Sequence, residues 1–400
     1  NATVLSPYFD FTHAPLRYTL RKTGQPGALM HVWDPWVLRG KAVFIEQDVR
    51  TSYTPKTSDP VYCGTPDRPQ NDVGQFIRSL GSTIATGTLN YWYDLDGGQF
   101  DEKAINDAVT ATTDVFLSIG DVQGTTPFEV CVVNSRDSVW YTKYADDDNP
   151  TSMASEFIYK HVNQLAVPFR NLMVYDLLDS KVKLEKLKFY IMHPMIMLTA
   201  GQRKKLMERF EREKAVVVWL YSAGASYPTH GPSAKNNGDF LGIKFDMKVE
   251  KTVPKMTLIP EFNSLKCENY NVSSPWFYPV SGYDRVIGRT DDGKPALVEK
   301  KINGATHYFS TLTNLPLEFY AKLMDQNNVH RYSKTVNKDQ YWIGNDVVFL
   351  HATGSGDRLL NLPKGTYAKG IAGPVPEKLN SGEKFKVRSG MTYGFQIIKK

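Results

Sequence analysis

Residues 40–55 read GKAVFIEQDVRTSYTP. Ala42 to Ile45 form an apolar run that ends in charge, with Glu46, Asp48 and Arg50 at alternate positions. A short apolar run without polar alternation is the pattern of a strand covered on both faces, as strands of parallel sheets are. When such a strand ends in acid, acid and base, it delivers charge at its carboxyl end, where parallel-sheet and barrel folds build their sites.

Outward from this strand, helical periodicity covers Val73 to Thr86, with Phe76, Ile77, Leu80 and Ile84 as its apolar positions. A second strand covers Leu89 to Tyr93, and a second helix runs from Glu102 to about Leu117. Strand, helix, strand, helix predicts a parallel sheet. The turn-rich GDVQGTTP at 120–127 predicts a boundary. Beyond it come the strand FEVCVVN, an apolar-periodic segment from Met153 to Leu165, the extended FRNLMVYD and the strand KFYIMHP at 188–194. A helix over 199–214, with Thr199 as N-cap, precedes the strand AVVVWLYS at 215–222. This second α/β unit has a flavodoxin-like rhythm and is completed by strand-rich pieces at 283–310 and a helix near 316–325. From about Lys334 the helical period stops, and DVVFLHA, RLLNLP, EKFKVRS and TYGFQII predict a small antiparallel β-sandwich. The expected class is α/β, divided at 1–122, 123–333 and 334–400.

The 400 residues suggest two to four domains, at roughly 100 to 200 residues each. A composition 41% hydrophobic and 22% charged belongs to a folded globular chain. The net charge of +6 is mild and is read as spread along the chain, which argues against a nucleic-acid partner. The densest basic run, Arg203 to Lys214, alternates with Glu208, Glu211 and Glu213 and predicts a solvated helix face. No stretch reaches the ~18 apolar residues that span a bilayer, so no membrane association is expected. Cys63, Cys131 and Cys267 are odd in number and far apart, which gives neither a disulfide framework nor a metal site, and Cys131 is expected in the core. With no H-x-x-x-H, C-x-x-C, G-x-G-x-x-G or P-loop, no cofactor is expected. Sequons begin at Asn1 and Asn271. The start at Asn1, without methionine, predicts a processed or truncated product.

Three stretches carry chemistry. In a retaining glycosidase one carboxylate attacks the anomeric carbon, while a second carboxylic acid ~5 to 5.5 Å away protonates the leaving oxygen. Glu46 suits the first role, with Arg50 holding Asp48 or acidifying Glu46; the same residues also suit a structural ion-pair cluster, which spacing alone favours. Trp92 and Tyr93 beside Asp94 and Asp96 suit either a sugar-stacking floor or an aromatic core followed by a turn, as do Trp33 and Trp36 beside Asp34. Gly224-Ala225-Ser226-Tyr227-Pro228 follows a strand and lacks the final glycine of a nucleophile elbow; an esterase built on it needs an exposed Ser226 in reach of a histidine such as His230.

LRGKAVFIEQDVRT, GTLNYWYDLDGGQFDE and VVVWLYSAGA together resemble the carboxyl-terminal part of bacterial glycoside hydrolases related to the family 42 β-galactosidases. The resemblance covers nearly the whole chain. It implies part of a (β/α)8 barrel, then an amidotransferase-like trimerisation domain, then a small β-domain. It implies Glu46 as the nucleophile at the end of the seventh barrel strand, YWYDLDGG as the eighth strand with its loop, and VLSPYFDF as the sixth. Trp33, Asp48, Arg50, Trp92 and Asp94 become pocket or supporting residues for a β-linked glycoside such as a galactoside. The family's acid/base glutamate, on the fourth strand, has no counterpart here. Three strands do not close a barrel, so a second chain or an upstream segment is expected to complete it. Ser222-Ala223-Gly224-Ala225 stand where an amidotransferase has its cysteine, so assembly into a homo-oligomer, a trimer by resemblance, is expected of this domain. The rival expectation is a non-catalytic carbohydrate-binding or structural protein derived from such an enzyme.

Overall fold

A computed structural model of the chain describes residues 2–30, 32–54, 69–94, 97–119, 124–141, 159–250, 253–268 and 275–400. Cys63, Asp96, the sequon asparagines 1 and 271, residues 120–123 of the expected turn and the first half of the segment from Met153 lie outside the described residues. The fold is mixed α/β and rich in sheet, in two compact units: residues 1–127 with 159–169 and 330–400, and residues 128–158 with 170–329.

In the first unit, β1 (Phe11–Pro15), β2 (Ala42–Gln47) and β3 (Leu89–Trp92) form a parallel sheet in that order. Helix α1 (Pro69–Thr86) joins β2 to β3, and α2 (Lys103–Ile119) follows β3, as the periodicity predicts. The run VLSPYFDF is not itself a strand; β1 starts at its last residue, Phe11. Nor is β2 covered on both faces. Val43, Ile45 and Gln47 are buried, whereas Ala42, Phe44 and Glu46 are only partly so. The buried face belongs to a core with Phe76, Ile77, Leu80 and Ile84 of α1. The other face is open: Phe11 is 57% exposed and meets Phe44 edge-on at 5.6 Å.

The second unit is built on a nine-stranded sheet. Its strands are β4 (Val130–Asn134), β5 (Phe169–Met173), β6 (Phe189–Met192), β7 (Val216–Leu220), β8 (Lys255–Leu258), β9 (Lys266–Glu268), β10 (Arg285–Thr290), β11 (Pro295–Ile302) and β12 (Ala305–Ser310), in the order β9-β8-β10-β11-β12-β7-β6-β4-β5. β4, β6, β7 and β12 run parallel to their neighbours, and β11, β10, β8 and β9 extend the sheet antiparallel. Helix α3 (Ala200–Glu213) opens with a capping box in which the Gln202 N–H donates to Thr199 Oγ1 and the Thr199 N–H to Gln202 Oε1. Helix α4 (Leu317–Gln326) follows β12. The basic run on α3 is not wholly solvated. Arg203 is 3% exposed and donates to Leu198 O, Asn236 O and Gly224 O as well as to Asp239, so its charge fixes the 222–239 loop.

A buried histidine gives this unit a pH dependence. His307 accepts a hydrogen bond from Trp219 Nε1 at 3.2 Å, and burial pulls its pKa down from 6.5 to about 4. The unfolded chain takes up a proton near pH 6.5 that the folded chain refuses, so this contribution to stability is complete above pH 6.5 and is lost as pH falls through 4. Its size is about 3 kcal/mol at most. Chemical denaturation at neutral and acid pH should show a smaller loss in His307→Gln than in wild type; an undiminished loss would assign the effect elsewhere.

The first unit ends in an antiparallel sheet of β13 (Gln340–Gly344), β14 (Val347–His351), β15 (Thr366–Ala372), β16 (Lys378–Leu379) and β17 (Thr392–Lys399), ordered β13-β14-β17-β15-β16. A separate ladder pairs Gly356–Leu359 with Lys384–Val387. Three of the four predicted runs become strands, whereas RLLNLP gives only the end of Gly356–Leu359. Tyr341, Val348, Leu350, Phe385 and Phe395 fill one core; Trp342, Val347 and Phe349 join the core of α1. The positive charge is not spread as expected. Residues 334–400 hold eleven Lys and Arg against five Asp and Glu, which accounts for the whole +6.

Candidate functional site at the end of β2

Register decides which side chains meet. Glu46 pairs with Tyr91 and Gln47 with Trp92 across β2 and β3. Successive strand residues point to opposite faces, so Tyr91 shares the open face with Glu46, while Trp92 shares the buried face with Gln47. The Tyr91 O–H donates to Glu46 Oε2 at 2.7 Å. Its phenol is pushed up to about 12, first by burial and next by that hydrogen bond, so it stays a proton donor over any ordinary working pH. A half-exposed carboxylate, held by one donor at a strand end, is oriented and still open to attack or bind.

Behind Glu46 the chain turns into a buried polar network. Asp48 is 3% exposed; Arg21 donates to both its carboxylate and its carbonyl oxygen, and Arg50 Nε lies 3.6 Å from Asp48 Oδ1. Gln99 Oε1 accepts from Arg50 Nη1 at 3.4 Å and from Thr54 Oγ1 at 2.7 Å. The Gln99 N–H donates to Asp94 Oδ2 at 3.0 Å, and Thr51 Oγ1 donates to Gln99 O at 2.7 Å. The loops after β2 and β3 are thus tied to one amide. Asp72 of α1 accepts from both the N–H and Oγ of Ser52, and burial above all lifts its carboxyl to about 6.

The structure therefore brings Asp48, Arg50 and Asp94 together as a supporting network. It does not bring the tryptophans to Glu46. Trp33 is 2% exposed and lies edge-on to Phe169 and Trp342, each at 6.1 Å, so its ring offers no face to a sugar subsite. Trp92 packs on Phe76 at 4.5 Å and lines a cleft of about 270 Å³ with Leu80, Leu89 and Phe116, between sheet and helices. Sequence reasoning missed Tyr91, Arg21 and Gln99. Tyr91 lay one residue from a chosen one, and only the β2–β3 register shows which of the two faces Glu46.

In the second unit the esterase arrangement is absent. Ser226 is buried, its hydroxyl donates to the His230 and Tyr227 carbonyls, and the His230 ring bonds Thr229 Oγ1 at 2.8 Å. The first residue after β7 is Tyr221, buried and left-handed at φ 65°, with its O–H donating to Pro275 O at 2.5 Å. Among the described residues no group of three His, Cys, Asp or Glu converges as a metal site, and no helix is long and apolar enough to cross a membrane.

No protein-family model and no curated protein matches the chain. Solved structures match it in fold. A catalytic mutant of a GH42 β-galactosidase from G. stearothermophilus is 11% identical, with 91% of this chain and 60% of that one covered at a TM-score of 0.61. The β-galactosidase of the psychrophilic Marinomonas ef1 is 10% identical, with 99% and 62% covered at 0.63. The polyextremophilic β-galactosidase of the Antarctic haloarchaeon Halorubrum lacusprofundi is 13% identical, with 96% and 63% covered at 0.62. The chain spans about three fifths of the length of each. Over most of its own length it has the fold of GH42 β-galactosidases.

Proposed function

We propose that the chain is the carboxyl-terminal part of a retaining glycoside hydrolase acting on β-linked glycosides, with Glu46 as nucleophile. The observation that carries the reading is the Glu46 carboxylate on the open face of a parallel sheet, near its carboxyl end, oriented by Tyr91. In the mechanism Glu46 attacks the anomeric carbon as an acid from outside this chain protonates the leaving oxygen; water then releases the sugar from the ester. Tyr91 keeps one carboxylate oxygen bonded, leaving the other to react. Asp48, Arg50 and Asp94 act by fixing the loops that border the site.

The likeness to chains of which about two fifths has no counterpart in this one supports a barrel completed by further strands. So does the exposed face bearing Phe11, Phe44 and Tyr91, which suits a barrel interior. We propose the three-part division at 122 and 333, with the middle part serving assembly as the resemblance implies; Tyr221 occupies the strained position after β7 without a thiol.

The test is to incubate the purified protein, with whatever polypeptide accompanies it, with an activated 2-deoxy-2-fluoro-β-galactoside and to map the adduct. Ester formation on Glu46 supports the reading. A protein that binds galactosides but forms no adduct would point to the non-catalytic reading, against which the enclosed ring of Trp33 counts as a stacking platform.

A further inference from the structure

The second unit holds a polar cleft of about 360 Å³, lined by Glu261, Arg285, Glu299, Lys301, Tyr308 and Gln326, that the glycosidase reading leaves unused. Its volume lies at the small end of the ~300 to 1,000 Å³ range of small-molecule sites. Val216, the first residue of β7, and Thr306, near the start of β12, also line it. It therefore opens at the amino ends of the parallel strands, opposite to the carboxyl ends where doubly wound sheets take their ligands.

The geometry points to a neutral sugar, one or two rings long, as the ligand of this cleft. Glu299 is 7% exposed, accepts from the Tyr308 O–H at 2.7 Å and meets Arg285 Nη2 at 3.2 Å. Arg285 Nη1 reaches Glu261 Oε2 at 2.8 Å, so one guanidinium bridges two carboxylates. Two acids and two bases line the cleft, and a site with balanced charge favours neither an anion nor a cation. What it offers is acceptors and donors at close, fixed spacing, with Arg285, Glu299, Lys301 and Tyr308 on strands, Glu261 on a short 3-10 turn and Gln326 at the end of α4. Vicinal hydroxyls need that arrangement, since each donates to a carboxylate while accepting from a guanidinium or amide. No aromatic face lies open to stack a flat ligand; the Tyr308 ring is buried.

The cleft belongs to the second unit and Glu46 to the first, and the test separates the two. The probes are D-galactose and lactose, titrated calorimetrically into the whole protein, with inorganic phosphate and calcium chloride as anion and cation controls. Saturable sugar binding is expected, retained in Glu46→Gln and weakened about tenfold in Glu261→Gln, as for loss of a hydrogen bond to a charged group. Gln326→Ala, an exposed change on α4, should also weaken it and keeps the proposal testable if Glu261→Gln perturbs the fold. No saturable sugar binding, binding lost only in Glu46→Gln, or preferential binding of phosphate or calcium would each overturn the inference.

Discussion

With Glu46 as the proposed nucleophile, Glu46→Gln should lower kcat on an aryl β-galactoside by on the order of 10⁴-fold, about 5 kcal/mol of lost transition-state stabilisation. The amide keeps the size of the carboxylate and can still accept from Tyr91 Oη, so the fold around it has no reason to change. It cannot form the glycosyl ester, and the double displacement stops. Tyr91→Phe should cost less, about tenfold, because it removes one hydrogen bond to a charged group and leaves the Glu46 carboxylate in place. The two changes should not add, since Tyr91 acts through Glu46. Asp48→Asn should behave differently. Asp48 is buried between Arg21 and Arg50, so neutralising it takes a shared carboxylate charge from two buried cations and should cost about 3 to 5 kcal/mol of stability. Steady-state rates and denaturation midpoints on the three variants separate these roles. Undiminished turnover in Glu46→Gln would remove it as nucleophile.

The elements were legible because long periodic segments declare themselves: α1, α2 and α3 begin and end within a few residues of their expected bounds. What the text of the chain did not show is which face is covered. The run Ala42 to Ile45 is apolar throughout, yet only alternate residues are buried, because the other face of the sheet is open in this unit. The same limit hid Tyr91 and misplaced Trp92, since period-two alternation says that neighbours diverge without saying which one faces the carboxylate. Trp33 shows a further limit: a large aromatic beside an acid looks the same in sequence whether its partners are a sugar or Trp342, and Trp342 is 309 residues away. Charge was misjudged for a simpler reason. A mild total conceals its distribution, and only a count over 334–400 reveals where the surplus sits.

Gly74→Ala should destabilise the first unit by about 3 kcal/mol, although alanine is the better helix former by about 1 kcal/mol. A Cβ at Gly74 would lie 1.9 Å from Gly390 O, and Gly390 is itself left-handed at φ 83°. The obstacle is backbone, which no rotamer change relieves. Seven residues on, a Cβ at Gly81 would meet the Phe349 ring at 2.4 Å, so both glycines mark the stripe of α1 that lies against the antiparallel sheet. Thr392 Oγ1 donates to Gly74 O at the same contact, tying helix to sheet there. Glycine within a helix is costly unless something demands its absent side chain, and here the demand is a neighbouring main chain. Gly201, on α3, supplies the control: a Cβ there meets nothing within 4 Å, and Gly201→Ala should be neutral or stabilise by up to about 1 kcal/mol. Denaturation of both variants beside wild type checks the pair. If Gly74→Ala were as stable as Gly201→Ala, α1 would not be seated on the 390–392 turn, and the first unit would not be one cooperative body.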